Sequence, residues 1–281
     1  MNLVTVQTHD ALVPASTPPA ARRRGRRQVR LRLFSVAVSF AMLVSWGLVS
    51  GLGLVSPLFL PSPWRVAHQA VVLAQNGYAG ATLWGHAGAS LARVTSAFAI
   101  ASALAVPIGL AMGANRWVKA GLDPVIEFYW PLPPLAYLPL VIIWFGIGET
   151  AKITLLTLAM FAPVCLAAQS GVRSVAIERV HAAQSLGATR WQVFAHVLLP
   201  SALPEILTGM RIAMGVGWGT LVAAELVAAT KGIGFMIMSA ANFLATDIVF
   251  VGIAVIAVLA IASSLVLRVA ERLLVPWRGR G

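Results

Sequence analysis

Residues 174–205 read SVAIERVHAAQSLGATRWQVFAHVLLPSALPE. This is the longest polar stretch between apolar segments, and its reading decides the rest. A helix is expected from about Val175 to Leu186. Gly187 then supplies the left-handed position that closes a helix C-terminus. Thr189 with Gln192 three residues later is a capping box that opens a second helix. Trp191, Phe194 and Leu198 fall on one face of it. Pro200 is expected to end that helix, and Ser201 and Pro204 to restart the chain. The small residues Ala182 and Ala183 stand just before the turn, where they let another surface come close. A loop of this length with two capped helices is long for a plain connector.

Outward from the loop, the chain is apolar on both sides. It has 281 residues, 59% hydrophobic and 11% charged, with mean hydropathy +0.84. Soluble domains average about 45–50% apolar and about 25% charged, so a soluble enzyme is excluded. Six apolar stretches, at about 33–56, 90–115, 125–148, 153–172, 206–229 and 248–267, are each long enough to cross roughly 30 Å of hydrocarbon. The fifth carries Arg211 and Glu225, each costing about 2.5–3.5 kcal/mol at mid-membrane on insertion scales. Its other residues are apolar enough to carry both.

Orientation follows from the cations. With the N-terminus inside, 17 of the 21 Lys and Arg residues fall on the cytoplasmic side. Arg65, Lys152 and Lys231 fall outside, and Arg93 lies near the outer end of its span. This is the positive-inside asymmetry. It accounts for the net charge of +12 without nucleic acid. The fold class is therefore all-α: a polytopic helical membrane protein with six transmembrane helices, N-in and C-in. Residues 1–32 read as a disordered basic cytoplasmic tail, 33–281 as the membrane domain, and 173–205 as its cytoplasmic loop. Segment 57–84 reads as an amphipathic helix on the outer surface; a seventh span there is the competing reading. The arginines from Arg22 to Arg32 meet anionic headgroups, with a twin-arginine signal as the alternative.

The loop resembles the EAA loop of ABC-importer permeases. That pattern is E-A-A, three residues, Gly, nine residues, then I-x-L-P. Here it runs His181, Ala182, Ala183, then Gly187, then Val197, Leu199 and Pro200, with the spacing kept throughout. His181 stands where the family often has Glu. The resemblance covers nearly all of the chain after the tail. It is closest to permeases for taurine, aliphatic sulfonates and nitrate. Residues 123–149 and 221–258 and the ending 275–279 look most like the taurine permeases.

The resemblance implies a type I ABC-importer permease fold and a multi-pass place in the bacterial inner membrane. It implies a homodimer bound to two ATPase subunits inside and to a periplasmic substrate-binding protein outside. The cargo would be taurine or a related sulfonate, moved by alternating access, with aliphatic sulfonates or nitrate as the alternative. The ATPase-coupling residues would be His181, Ala182, Ala183, Gly187, Ala188, Trp191, Phe194 and Pro200. The chain would bind no cofactor itself and would not be an enzyme; ATP and Mg would sit on the partner. Consistently, the sequence has no G-x-x-x-x-G-K-[ST]. It also has no clustered His/Cys spacing, and its single cysteine, Cys165, reads as a packing residue.

In the fifth span Arg211, Gly215, Trp218, Val222 and Glu225 share a helical stripe. Trp218, Val222 and Glu225 are candidate pore-lining residues, because intramembrane charges face a bundle interior or a water path. The other reading places Arg211 and Glu225 at the two interfaces. Pro131, Pro133, Pro134 and Pro139 break the third span, either as a gate or as a packing kink. G-x-x-x-G occurs at Gly47/Gly51, Gly109/Gly113 and Gly215/Gly219, and permits close helix packing. An ion-coupled secondary transporter is a more distant reading, and Glu225 is its only candidate coupling group.

Overall fold

The computed structural model describes residues 20–277, with side chains from 33 onward except at position 228. Its regular elements are all helical; one isolated bridge, between Tyr78 and Ala81, closes a turn. The chain separates into two units, Met1–Val55 and Ser56–Gly281. The first contains α1 (Ala20–Gly51). That helix begins inside the segment expected to be disordered, so residues 20–32 are helical. Arginine is a good helix former, and in the sequence Pro18 and Pro19 stand just before its start. The rest of the expected tail, 1–19, lies outside the described residues.

The second unit is built around α6 (Glu149–Arg173), which packs between α3 (Leu83–Ala114) and α9 (Leu199–Ala228). Small residues make that layering possible. A side chain on Gly109 of α3 would collide with the Cys165 carbonyl of α6. One on Gly113 would meet Val172 at 2.6 Å. The Gly109/Gly113 pair therefore joins two helices of the same chain. Gly215 and Gly219 have open space in front of them. Val94, Ala97, Ala101, Leu156, Met160, Ala213 and Leu221 form the main core. Cys165 is buried within it, its Sγ 3.7 Å from Met112 Sδ.

The third apolar stretch is not one straight helix. It divides into α4 (Arg116–Tyr129) and α5 (Pro134–Phe145), bent by 101°. Proline lacks the N–H that would continue the ladder, and Pro131 and Pro133 fall in the break. Helix α4 is amphipathic, with a Lys119–Asp123 ion pair at 3.0 Å. Helix α5, at 12 residues, reaches only about 18 Å. The second unit thus holds four straight helices of spanning length plus the bent pair; α1 of the first unit is a fifth.

Segment 57–84 holds α2 (Pro63–Asn76), capped by Ser62, whose side chain accepts from the Arg65 N–H. At 14 residues it is too short for a seventh span. It packs on α11 (Thr246–Leu274). A further helix, α10 (Ile233–Asn242), was not expected. Its Ile233, Met236 and Ala240 join Leu73, Leu83, Ile248 and Val251 in a second core.

Candidate functional site

The 174–205 segment folds largely as its local chemistry dictates. Helix α7 (Ile177–Ser185) has no buried residue. It closes on Gly187, whose φ is +83°. The Gly187 N–H donates to Gln184 O (2.9 Å) and the Ala188 N–H to Ala183 O (3.1 Å). This is the paired closure of a helix ending in a left-handed residue. The capping box then opens α8 (Arg190–Val193): the Gln192 N–H donates to Thr189 Oγ1, and the Thr189 N–H to Gln192 Oε1.

Pro200 does not end the second helix. A π-helical turn, Phe194–Leu198, leads into α9, and Pro200 lies in the first turn of α9. The wider turn accommodates a residue with no N–H to give. Residues Arg190–Val227 consequently run on as one apolar helix.

Of the expected coupling residues, His181, Ala182, Gly187 and Trp191 are exposed, while Ala183, Ala188, Phe194 and Pro200 are half-buried. Trp191 is 72% exposed and stacks on Phe194, ring centroids 5.6 Å apart. Phe194 packs in turn against Leu110, Ala168, Val172, Ala202 and Ile206 at the ends of three helices. Leu186, which the motif reading passed over, is 89% exposed. Two large apolar side chains are thus held out from a polar helix pair, and Phe194 fixes that surface to the bundle.

The stripe on α9 does not stay on one face. Gly215 is exposed and Val222 half-buried. Trp218 is 4% exposed and sits in the main core. Glu225 is 0% exposed, so neither it nor Trp218 faces open space. The apolar seam of the layered helices takes up more of α9 than a single charged stripe suggests. Arg211 does lie at an edge: its Nη2 donates to Glu271 Oε2 at 2.6 Å.

Glu225 is the centre of a network assembled from four segments. Arg93 Nη1 reaches its Oε1 at 2.5 Å and the Lys231 carbonyl at 2.7 Å. Arg93 Nε and Nη2 hold Glu149 at 2.5 and 2.8 Å, and Lys152 Nζ reaches Glu149 at 3.0 Å. Ser90 Oγ donates to Glu225 at 2.8 Å, and the Gly234 N–H donates to it at 2.8 Å. His86 Nδ1 accepts from the Gly232 N–H at 3.1 Å, so its Nε2 carries the proton given to Tyr78 O, 2.9 Å away. The sequence carried a trace of this arrangement. His86, Ser90 and Arg93 are spaced four and three apart on α3, hence on one face. Glu225, which Ser90 and Arg93 share, lies more than a hundred residues further on, where no local pattern points.

Comparison with known proteins agrees with this architecture. The family described as "Binding-protein-dependent transport system inner membrane component" matches residues 103–279. The taurine transport system permease protein TauC of Escherichia coli (strain K12) is 56% identical over 218 residues, 77% of this chain and 79% of that one. The putative aliphatic sulfonates transport permease protein SsuC of Bacillus subtilis (strain 168) is 37% identical over 196 residues, 70% of this chain and 71% of that one. Among solved structures, an inward-facing form of the MetNI methionine ABC transporter aligns with TM-score 0.56 at 17% identity. The alignment covers 66% of this chain and 96% of that one. This last likeness establishes the fold alone.

Proposed function

Since the chain belongs to the family of binding-protein-dependent transport system inner membrane components, we propose that it carries taurine across the bacterial inner membrane as the permease of an ATP-driven importer. Transport runs from periplasm to cytoplasm, with N- and C-termini inside and six crossings, the bent α4–α5 pair counting as one. Two copies form the pathway. Two ATPase subunits, carrying ATP and Mg, dock on their α7–α8 surfaces, and a binding protein delivers cargo outside. The chain itself needs no cofactor. The taurine assignment is favoured by 56% identity to TauC, against 37% to SsuC; a related sulfonate is the second reading.

The observation that carries the mechanism is the continuity between docking surface and lever. Leu186 and Trp191 face outward, and Trp191 stacks on Phe194, which packs on α3 and α6. From Arg190 to Val227 the helix runs about 55 Å without an interruption longer than the π-turn. A partner that displaces α8 therefore displaces the far end of α9. There Glu225 is tied through Arg93 to α3 and α6. Nucleotide binding to the partner needs only to favour one of two packings around this tie. The open side of α9, with Ile212, Gly215, Val216 and Gly219, replaces Trp218 and Glu225 as the candidate pathway face; Val222 borders it. An ion-coupled reading would need Glu225 free to exchange a cation, and Arg93 holds it.

The test is uptake of labelled taurine by cells with and without this chain, with ATP and ion gradients clamped separately. ATP-dependent uptake that is lost on deletion is expected. Uptake that follows an ion gradient instead would refute the importer class. ATP-dependent uptake of alkanesulfonates, without taurine, would overturn only the cargo.

A further inference from the structure

At the end of α11 opposite the Glu225 network, a cavity of about 420 Å³ opens between α9 and α11. It is lined by Arg211, Arg268, Glu271, Arg272, Val275 and Pro276. That volume lies within the range of about 300–1,000 Å³ usual for small-ligand sites. Three guanidinium groups face one carboxylate. Glu271 neutralises Arg211 at 2.6 Å. Arg268 and Arg272 are exposed and have no hydrogen-bond or ion-pair partner among the described residues. The lining thus keeps two uncompensated positive charges one helical turn apart.

The depth of this cavity is set by the sequence of α11. After Asp247 the next charge is Arg268, and the 20 uncharged residues between them measure about 30 Å along a helix, the thickness of the hydrocarbon. Arg268 therefore stands where acyl chains end and headgroups begin. Beside it, Val266, Val269 and Leu273 are exposed apolar side chains, suited to lie against a chain. Guanidinium forks match phosphate oxygens two at a time.

We infer that this cavity is a binding site for the phosphate of an anionic phospholipid, with Arg268 and Arg272 as its ligands and Arg211 as its inner wall. The bound lipid bridges α9 and α11, and so biases the packing of the lever. The site requires only that α11 spans the membrane, and holds whichever cargo is carried.

The test titrates the full-length permease, delipidated in detergent, with phosphatidylglycerol or phosphatidylcholine and reads retained lipid by native mass spectrometry. Preferential retention of phosphatidylglycerol is expected. Arg268→Gln with Arg272→Gln weakens it about 30-fold, from about fivefold per arginine near the surface. Arg116→Gln with Arg190→Gln, exposed arginines elsewhere, leaves it unchanged. The charge-retaining pair Arg268→Lys with Arg272→Lys loses less and controls for folding, which a melting curve checks. In a second arm millimolar inorganic phosphate competes. Displacement of the lipid assigns the same site to free phosphate, and no displacement assigns it to the membrane. Equal retention by the wild type and the glutamine variant, or no preference over phosphatidylcholine, overturns the proposal.

Discussion

Replacing Arg93 with Met removes four hydrogen bonds at once, and the structure says which of them matter. The Glu149 arm contributes little. Its side chain is 56% exposed and keeps Lys152 at 3.0 Å, and exposed pairs are worth about 0–1 kcal/mol. The Glu225 arm is different. That carboxylate is 0% exposed, and without Arg93 it retains Ser90 and the Gly234 N–H but no cation. Removing one partner of a buried pair costs about 3–5 kcal/mol, because the other charge stays buried. Arg93→Met is therefore expected to destabilise the folded chain by about 3–5 kcal/mol. Glu225→Gln should cost less, since its amide oxygen can still accept from Ser90 and Gly234, and Arg93 keeps Glu149. Combining Arg93→Met with Glu225→Leu removes both charges. It should recover part of the loss, as apolar replacement of buried pairs often does. Equilibrium unfolding in mixed micelles would measure the three variants, and labelled-taurine uptake would be followed in parallel. The double variant should fold better than Arg93→Met yet transport poorly, because the tie between α9, α3 and α6 is gone. Strictly additive losses, with no coupling between the two positions, would refute the buried-pair reasoning. Normal uptake by a folded double variant would refute the tie as part of the mechanism.

Three further outcomes are expected. Gly187→Val places a β-branched residue at φ +83° with nothing within 4 Å of the new side chain. The cost of about 1–3 kcal/mol is thus purely conformational, and the chain should remain in the membrane while co-purifying less ATPase. Leu186→Ser and Trp191→Ser remove the exposed apolar pair; each should weaken ATPase association at least fivefold without lowering the yield of folded chain, as a pull-down from membranes would read. Gly113→Leu drives a side chain into Val172 and should lose several kcal/mol through overpacking, whereas Gly215→Ala, facing open space, should change the melting temperature little.

Several features were legible without coordinates because their causes are local. The turn at Gly187 needs only a residue tolerant of positive φ, and the Thr189–Gln192 box needs only two side chains three residues apart. The straight spans follow from runs without charge, since no buried charge is tolerated there without a partner. Reading Pro200 as a stop failed because the rule for proline assumes regular α-geometry. The π-turn at Phe194–Leu198 accommodates the proline in the first turn of α9. The prolines of 131–134 correctly signalled a break, but nothing local set it at 101° or left α4 amphipathic. Helix α10 was invisible for a similar reason: its apolar face is completed only by α2 and α11.

Glu225 shows the division most clearly. By itself the sequence determined that a carboxylate lies within an apolar helix and that such a charge needs a partner or a water path. It also determined the membrane class and the capped turn of the 174–205 loop, whereas only the structure showed that Gly109 and Gly113, of the three G-x-x-x-G pairs, pack closely. Only the tertiary structure decided which alternative Glu225 takes. Helices α3 and α9 meet across α6, and this brings Arg93 within 2.5 Å of a residue 132 positions away. Burial of a charge is a property of what surrounds it in space, so helical periodicity could name the face of α9 but not what would cover it.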